Sequence, residues 1–87
     1  MPTYPITVPR KIYRGNDARK LHKNRASNEL ATRIERYVNE EFVKHGGESY
    51  IFTYGMIASE LGLDFDTVQD ILYGVDGGHT GIRVTKE

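Results

Sequence analysis

The 87-residue chain contains no cysteine, which excludes a disulfide framework and thiolate ligands for a metal ion. It has no apolar run near the roughly 20 residues that cross a bilayer, so we expect no membrane-spanning helix. The first residues lack the apolar segment of a secretory signal, and a cytoplasmic location is therefore expected. A chain of this length predicts one domain, near the lower size limit for a self-sufficient core.

Residue patterns typical of catalysis are also missing. The three histidines, His22, His45 and His79, do not have the i,i+4 spacing of a metal-binding pair. There is no G-x-S-x-G sequence and no cysteine nucleophile. The glycine-rich stretch over residues 77–81 lacks the lysine of a phosphate-binding loop and precedes a predicted strand, which favours a tight turn. We therefore expect neither an enzyme nor a metal or other cofactor.

The chain has no net charge, but its charges are unevenly distributed. Residues 1–25 hold seven of the twelve basic residues and one of the twelve acidic residues, Asp17. The seven cations are Arg10, Lys11, Arg14, Arg19, Lys20, Lys23 and Arg25. Such a division indicates a segment that binds a polyanion or one that docks on its own acidic domain.

Residues 1–26 contain all three prolines, which fix φ and remove amide donors, so we predict a basic arm that is largely disordered. Within this arm Ile6 and Val8 alternate with polar residues, as in a short extended segment that lies against the body. Basic residues interleaved with aromatic ones suit a minor groove or a single strand of nucleic acid. The alternative is a solvated tail, or one that neutralises the acidic body of its own or a neighbouring subunit.

Regular structure is predicted from Ser27 onward. Residues 18–25 could also form a helical turn, but Leu21 is their one large apolar residue and would anchor it weakly. Ser27 is a good N-cap for a first helix, which Gly46 and Gly47 should end. Its apolar stripe consists of Leu30, Ile34, Tyr37, Val38 and Phe42. A short strand is predicted over residues 48–53, and the alternation of Ile82 and Val84 predicts a second, antiparallel to the first.

Residues 53–73 have the pattern of a helix-turn-helix. Gly62 suits the positive φ of the turn, and Asp64 is placed to cap the following helix. The apolar positions of the two helices are Ile57, Ala58 and Leu61, then Val68, Ile71 and Leu72. The alternative is an ordinary pair of antiparallel helices with a glycine turn.

The order of helix, strand, helix, turn, helix, glycine-rich loop and strand resembles the winged helix-turn-helix family over residues 27–87. This resemblance implies an α+β fold, a small winged helix-turn-helix of three helices and a short antiparallel sheet, attached to the flexible arm of residues 1–26. The predicted wing is short, because a glycine-rich loop and one strand replace its usual two strands.

The resemblance also implies that residues 65–73 form the recognition helix, which lies in the major groove in DNA-binding members. The candidate base contacts of this helix are Thr67, Gln69 and Tyr73. In the loop and strand that follow, His79 and the nearby Arg83 are candidate contacts to a phosphate or a partner, and the alternative for His79 is an exposed turn residue. The helix contains no Lys or Arg, so affinity for phosphates is expected to come from the basic arm.

Two functions remain open from the sequence. The first is a small DNA-binding protein with a regulatory role in transcription or an accessory role. The second is a protein-interaction winged helix that binds a basic partner protein through an acidic and aromatic patch. That patch consists of Phe65, Asp66, Asp70 and Tyr73, unless Phe65 packs under the turn as part of the core. A homodimer formed through the first helix or the arm is compatible with both functions.

Overall fold

The computed structural model describes residues 2–75 and 77–86, which have an α+β architecture with three α-helices and a two-stranded antiparallel sheet. Met1 and Glu87, the outer ends of the predicted arm and domain, lie outside the described residues. The elements in chain order are α1 (Ala18–Lys44), β1 (Ser49–Thr53), α2 (Tyr54–Leu61), α3 (Phe65–Leu72), a 3-10 turn (Tyr73–Val75) and β2 (Gly81–Thr85). The molecule measures 44 × 25 × 21 Å, and the 27 residues of α1 account for about 40 Å.

The sheet has the predicted strands and the predicted antiparallel pairing. Tyr50 is opposite Val84, and Phe52 is opposite Ile82. Phe52, Ile82 and Val84 are buried, because alternate residues of a strand point to the same side. The other side of the sheet is turned to solvent.

The two helices predicted within residues 53–73 and the glycine turn between them are present. Thr53 caps α2 by accepting a hydrogen bond from the Met56 N–H (3.1 Å). Gly62 ends α2 with φ of +67°, a conformation that a residue with a Cβ rarely adopts. Asp64 occupies the N-cap position of α3, although its side chain makes no capping hydrogen bond.

The helix start predicted at Ser27 is wrong, because α1 begins at Ala18. The Asp17 carboxylate caps it, accepting from the N–H groups of Arg19 (2.9 Å) and Lys20 (3.4 Å). The boundary predicted between residues 26 and 27 therefore falls inside a continuous helix. At its other end α1 stops as predicted, with His45 as C-cap and positive φ at Gly46 and Gly47.

Residues 2–10, which we name the strap, lie against the body outside the helices and the two strands. The Tyr4 N–H donates to the Thr85 carbonyl (2.8 Å), and the Tyr4 ring stacks on Phe42 at 5.1 Å. Ile6 and Val8 are only 4% and 2% exposed. The strap therefore supplies part of the core and is not separate from the domain.

One hydrophobic core joins the strap, the three helices and both strands. Its buried members are Ile6, Val8, Ala31, Ile34, Val38, Phe42, Phe52, Tyr54, Ile57, Ala58, Val68, Leu72, Ile82 and Val84. On α1 the core begins at Ala31, so the helix extends more than three turns before its first buried residue.

Candidate nucleic-acid interface

The strap and α1 form an antiparallel hairpin that side chains of α1 hold together. The Asn39 amide pairs with both polar backbone groups of Ile6, at 2.9 Å to its N–H and 3.0 Å to its carbonyl. The Glu35 carboxylate accepts from the Val8 N–H at 2.7 Å. The Asn28 amide pairs in the same way with the N–H and the carbonyl of Lys11, both at 2.9 Å. Spacings of seven and four residues place these three side chains on one face of the helix.

The hairpin closes through residues 11–17, which we name the tip loop. The Tyr13 hydroxyl accepts from the Asp17 N–H at 3.2 Å. The Tyr13 ring packs so closely over Gly15 that a Cβ there would lie 2.4 Å from the Tyr13 hydroxyl oxygen. The loop therefore has a defined conformation, set by the paired Lys11 backbone at one end and by the Asp17 cap of α1 at the other.

The tip loop and the first turns of α1, residues 11–26, form a basic projection. Residues 18–26 contain no buried side chain. The projection carries six basic residues and one acidic residue: Lys11, Arg14, Arg19, Lys20, Lys23 and Arg25, with Asp17. None of these six cations has a carboxylate of the described residues within 4.0 Å, whereas Arg10, Lys44 and Lys86 each have one. The projection is therefore a concentration of positive charge that is not neutralised by other described residues.

The inner face of the projection continues the face of α1 that packs in the core. Lys20, Lys23 and Ser27 are in helical register with Ala31 and Ile34. With the tip loop this face forms a shallow cleft lined by Lys11, Ile12, Tyr13, Lys20, Lys23, Asn24 and Ser27. A side of α1 that is apolar inside the body is thus basic and solvent-facing outside it.

A second cleft connects the projection to α3. Lys11 and Lys23 line it from the projection, and Thr67 and Asp70 line it from α3. The structure therefore brings the predicted contacts Lys11, Lys20, Lys23 and Thr67 into two adjoining clefts. Asp70 lies at the edge of this basic surface.

The other two predicted base contacts, Gln69 of α3 and Tyr73 of the 3-10 turn, are engaged by the loop that precedes β2. The Gln69 amide donates to the His79 carbonyl (2.6 Å), and the Tyr73 hydroxyl lies 3.3 Å from Nδ1 of His79. One of the two hydrogens on the Gln69 amide nitrogen, the group that would donate to adenine, is therefore already used by this loop. Arg83 lies on the exposed face of β2, opposite Ile51.

The core residue Tyr54 also holds this loop. This fully buried residue donates its hydroxyl hydrogen to the Gly78 carbonyl (2.7 Å). Burial, and secondarily the neighbouring Tyr73, raises the pKa of the Tyr54 hydroxyl, so it stays protonated as a donor. A Cβ on Gly77 would lie 2.2 Å from the Tyr54 hydroxyl oxygen, so glycine is required there.

The residues of the predicted acidic patch are on the surface. Asp66 and Asp70 are exposed, and the Phe65 and Tyr73 side chains are 41% and 45% exposed. The Phe65 ring also makes an edge-to-face contact with Tyr54 at 5.8 Å. Phe65 is therefore partly packed and partly available to a partner.

Comparisons with protein-family models, with curated proteins and with solved structures found no match to this chain. Within residues 2–75 and 77–86, no helix is long and apolar enough to cross a membrane. Over the same ranges, no group of three or more His, Cys, Asp or Glu side chains is placed to hold a metal ion.

Sequence reasoning missed the residues of α1 that hold the strap and the tip loop. Asn28, Glu35 and Asn39 repeat at helical spacing, but nothing in the sequence shows that their partners are backbone groups of the strap. The Asp17 cap was a usable signal, because aspartate before a run of good helix formers marks a helix start.

Proposed function

We propose that this protein is a small DNA-binding protein of the winged helix-turn-helix type, with a regulatory or accessory role. It would hold duplex DNA mainly through the basic projection. The observation that carries this proposal is the set of six exposed cations on residues 11–26, which no carboxylate of the described residues neutralises. Cations that displace counterions from phosphates supply most of the affinity of such complexes.

The arrangement of the helices supports the winged-helix part of the proposal. The turn at Gly62 joins α2 to α3, and a loop with one strand, β2, follows in the position of a wing. Thr67 of α3 adjoins the basic clefts, so this end of the helix would approach DNA first. Gln69, Tyr73 and His79 would contribute only after their mutual hydrogen bonds are exchanged for contacts with bases.

The two carboxylates of α3 affect how this helix would approach DNA. Asp66 and Asp70 would repel phosphates, and α3 contains no Lys or Arg to offset them. We therefore infer that α3 does not insert deeply into the major groove. The protein would act without catalysis or a cofactor, and in the cytoplasm. Homodimer formation stays a prediction, which sedimentation equilibrium tests.

Fluorescence anisotropy with a labelled duplex, at several salt concentrations between about 50 and about 200 mM, tests the proposal. The full-length protein should bind with a steep salt dependence. Lys20→Gln combined with Lys23→Gln should weaken binding and reduce the slope of log K against log salt by about 1.8, if each lysine neutralises one phosphate.

The matched control is Lys44→Gln combined with Lys86→Gln, which removes two surface lysines outside the projection. This control should leave both affinity and slope close to those of the unmodified protein. The proposal fails if the full-length protein does not bind at about 50 mM salt, or if both double variants weaken binding equally.

A second candidate function, binding of a basic protein partner, is favoured by the exposure of Phe65 and Tyr73 beside two carboxylates. Replacing Asp66 and Asp70 with Asn separates the candidates. For a DNA-binding protein, lower repulsion should strengthen duplex binding. For a protein-binding module, the same variant should weaken binding of a lysine-rich peptide probe.

A further inference from the structure

The tip loop exposes an apolar side chain in the middle of the basic projection. Ile12 is 78% exposed, and the next most exposed large hydrophobic side chain among the described residues, Val43, is 56% exposed. Single exposed apolar residues are common on protein surfaces and carry no meaning by themselves. The way in which the loop holds Ile12 is what calls for an explanation.

Both neighbours of Ile12 are fixed, so its direction is fixed as well. The Asn28 amide accepts from the Lys11 N–H and donates to the Lys11 carbonyl, which holds the backbone of Lys11. Tyr13 packs over Gly15 and accepts a hydrogen bond from the Asp17 N–H. These contacts hold Lys11 and Tyr13, whereas the Ile12 side chain between them is exposed to solvent. A side chain presented in this way loses little conformational freedom on binding.

The surroundings of Ile12 indicate the chemistry of its partner. Lys11 precedes Ile12 and Arg14 follows it by two residues, and Lys20 and Lys23 line the same cleft. An apolar side chain between cations matches the minor groove, where cations contact the phosphates and an apolar side chain enters between base pairs. A base step offers an apolar stacking surface between two rows of negative charge.

We propose, building on the proposed DNA-binding function, that Ile12 is a wedge which enters the minor groove of duplex DNA, partly unstacks one base step and bends the duplex. Lys11, Arg14 and Lys23 contact the flanking phosphates. Bending by such wedges lies in the range of about 20–90° toward the major groove. A bent duplex brings more of its backbone against the projection, which offsets the cost of unstacking.

Energy transfer between dyes on the two ends of a duplex of about 20 base pairs tests the wedge. The unmodified protein should raise the transfer efficiency on binding, because bending shortens the distance between the ends. Ile12→Ala should bind the duplex but lose this increase, whereas Ile12→Leu should keep it. Ile51→Ala, which truncates another exposed isoleucine, on β1, should bend the duplex like the unmodified protein.

Binding is measured on the same samples by anisotropy, which separates the wedge from the proposed function. Binding without a change in transfer, or equal bending by Ile12→Ala, would overturn the wedge and leave DNA binding intact. Absence of binding would overturn both. The protein should also be tested with vesicles that contain phosphatidylserine. If it binds them more tightly than the duplex, and if Ile12→Ala removes this binding, the tip loop binds a lipid surface and the wedge is overturned.

Discussion

Asn39 and Asn28 hold the strap and the tip loop by the same chemistry in different surroundings, which makes a matched pair of substitutions. Each amide pairs with the N–H and the carbonyl of one residue, Ile6 or Lys11. The two bonds of Asn39 are partly buried beside a core side chain, and those of Asn28 are exposed to water. Asn39→Ala should therefore destabilise the protein more than Asn28→Ala.

The magnitude follows from the groups left without partners. An unpaired backbone group costs about 1–3 kcal/mol when buried, and we use the lower end because this site is partly exposed. Two such groups give a loss of about 2 kcal/mol in Asn39→Ala. Water replaces the amide in Asn28→Ala, so its loss should be about 0.5 kcal/mol. The higher helix propensity of alanine adds a few tenths of a kcal/mol at both positions and cancels in the comparison.

Urea unfolding followed by circular dichroism measures the two free energies of unfolding. The expected difference of about 1.5 kcal/mol corresponds to about 6–12 °C in Tm for a domain of this size. Two results would contradict this prediction. An undisturbed stability in Asn39→Ala would mean that the strap does not depend on α1 for its backbone hydrogen bonds. Equal losses in the two variants would mean that the partial burial of the Asn39 bonds does not increase their contribution to stability.

Three further predictions concern stability. Ile6→Ala should cost about 3 kcal/mol, because it removes buried methyl groups from the core, whereas the identical change at Ile12 should stay within about 0.5 kcal/mol; thermal melts compare them. Gly77→Ala should cost about 2 kcal/mol, because the new Cβ collides with the Tyr54 hydroxyl. Gly55→Ala in α2 should stabilise the protein by up to about 1 kcal/mol, because its Cβ meets nothing within 4 Å. The midpoints of urea unfolding measure both effects. Burial raises the pKa of Tyr54 above its ordinary value of about 10, so the unfolded chain releases this proton first and stability should fall as pH rises through about 10. Melts between about pH 8 and about pH 11 should show a shallower decline for Tyr54→Phe, and an unchanged decline would contradict the assignment.

The elements with an apolar period could be predicted from the sequence. An element that buries only one side repeats its apolar residues at a fixed spacing. This spacing identified the buried residues Val68 and Leu72 of α3, and Ile82 and Val84 of β2. Gly62 marked the turn, because few other residues adopt its positive φ. Local rules were sufficient for these elements, since each has a side that faces the same core.

The start of α1 could not be predicted in this way. Residues 18–26 contain no buried side chain, so periodicity gives no signal there. This part of the helix forms from good helix formers and the Asp17 cap, and its hairpin partner lies across the tip loop. The three prolines in residues 1–26 led to a prediction of disorder, because proline removes amide donors. The amide donors that remain at Ile6 and Val8 are sufficient to hold the strap, since the side chains of Asn39 and Glu35 accept from them.

The candidate site was predicted in its parts but not in its arrangement. The cations of the projection were identified as the polyanion-binding residues, and that assignment stays a prediction. The sequence did not show that Lys11 and Lys23 share a cleft with Thr67, or that Gln69 is bonded to the His79 carbonyl. Such pairings depend on tertiary contacts between segments far apart in the chain.

We propose the basic projection, and not α3, as the main DNA-binding surface. The most direct test is an NMR titration of the ¹⁵N-labelled full-length protein with a duplex of about 20 base pairs at about 50 mM salt. If the projection is that surface, the largest shift changes should fall on the amides of residues 11–26, with smaller changes near Thr67. Changes confined to residues 65–73, or no changes anywhere, would contradict it.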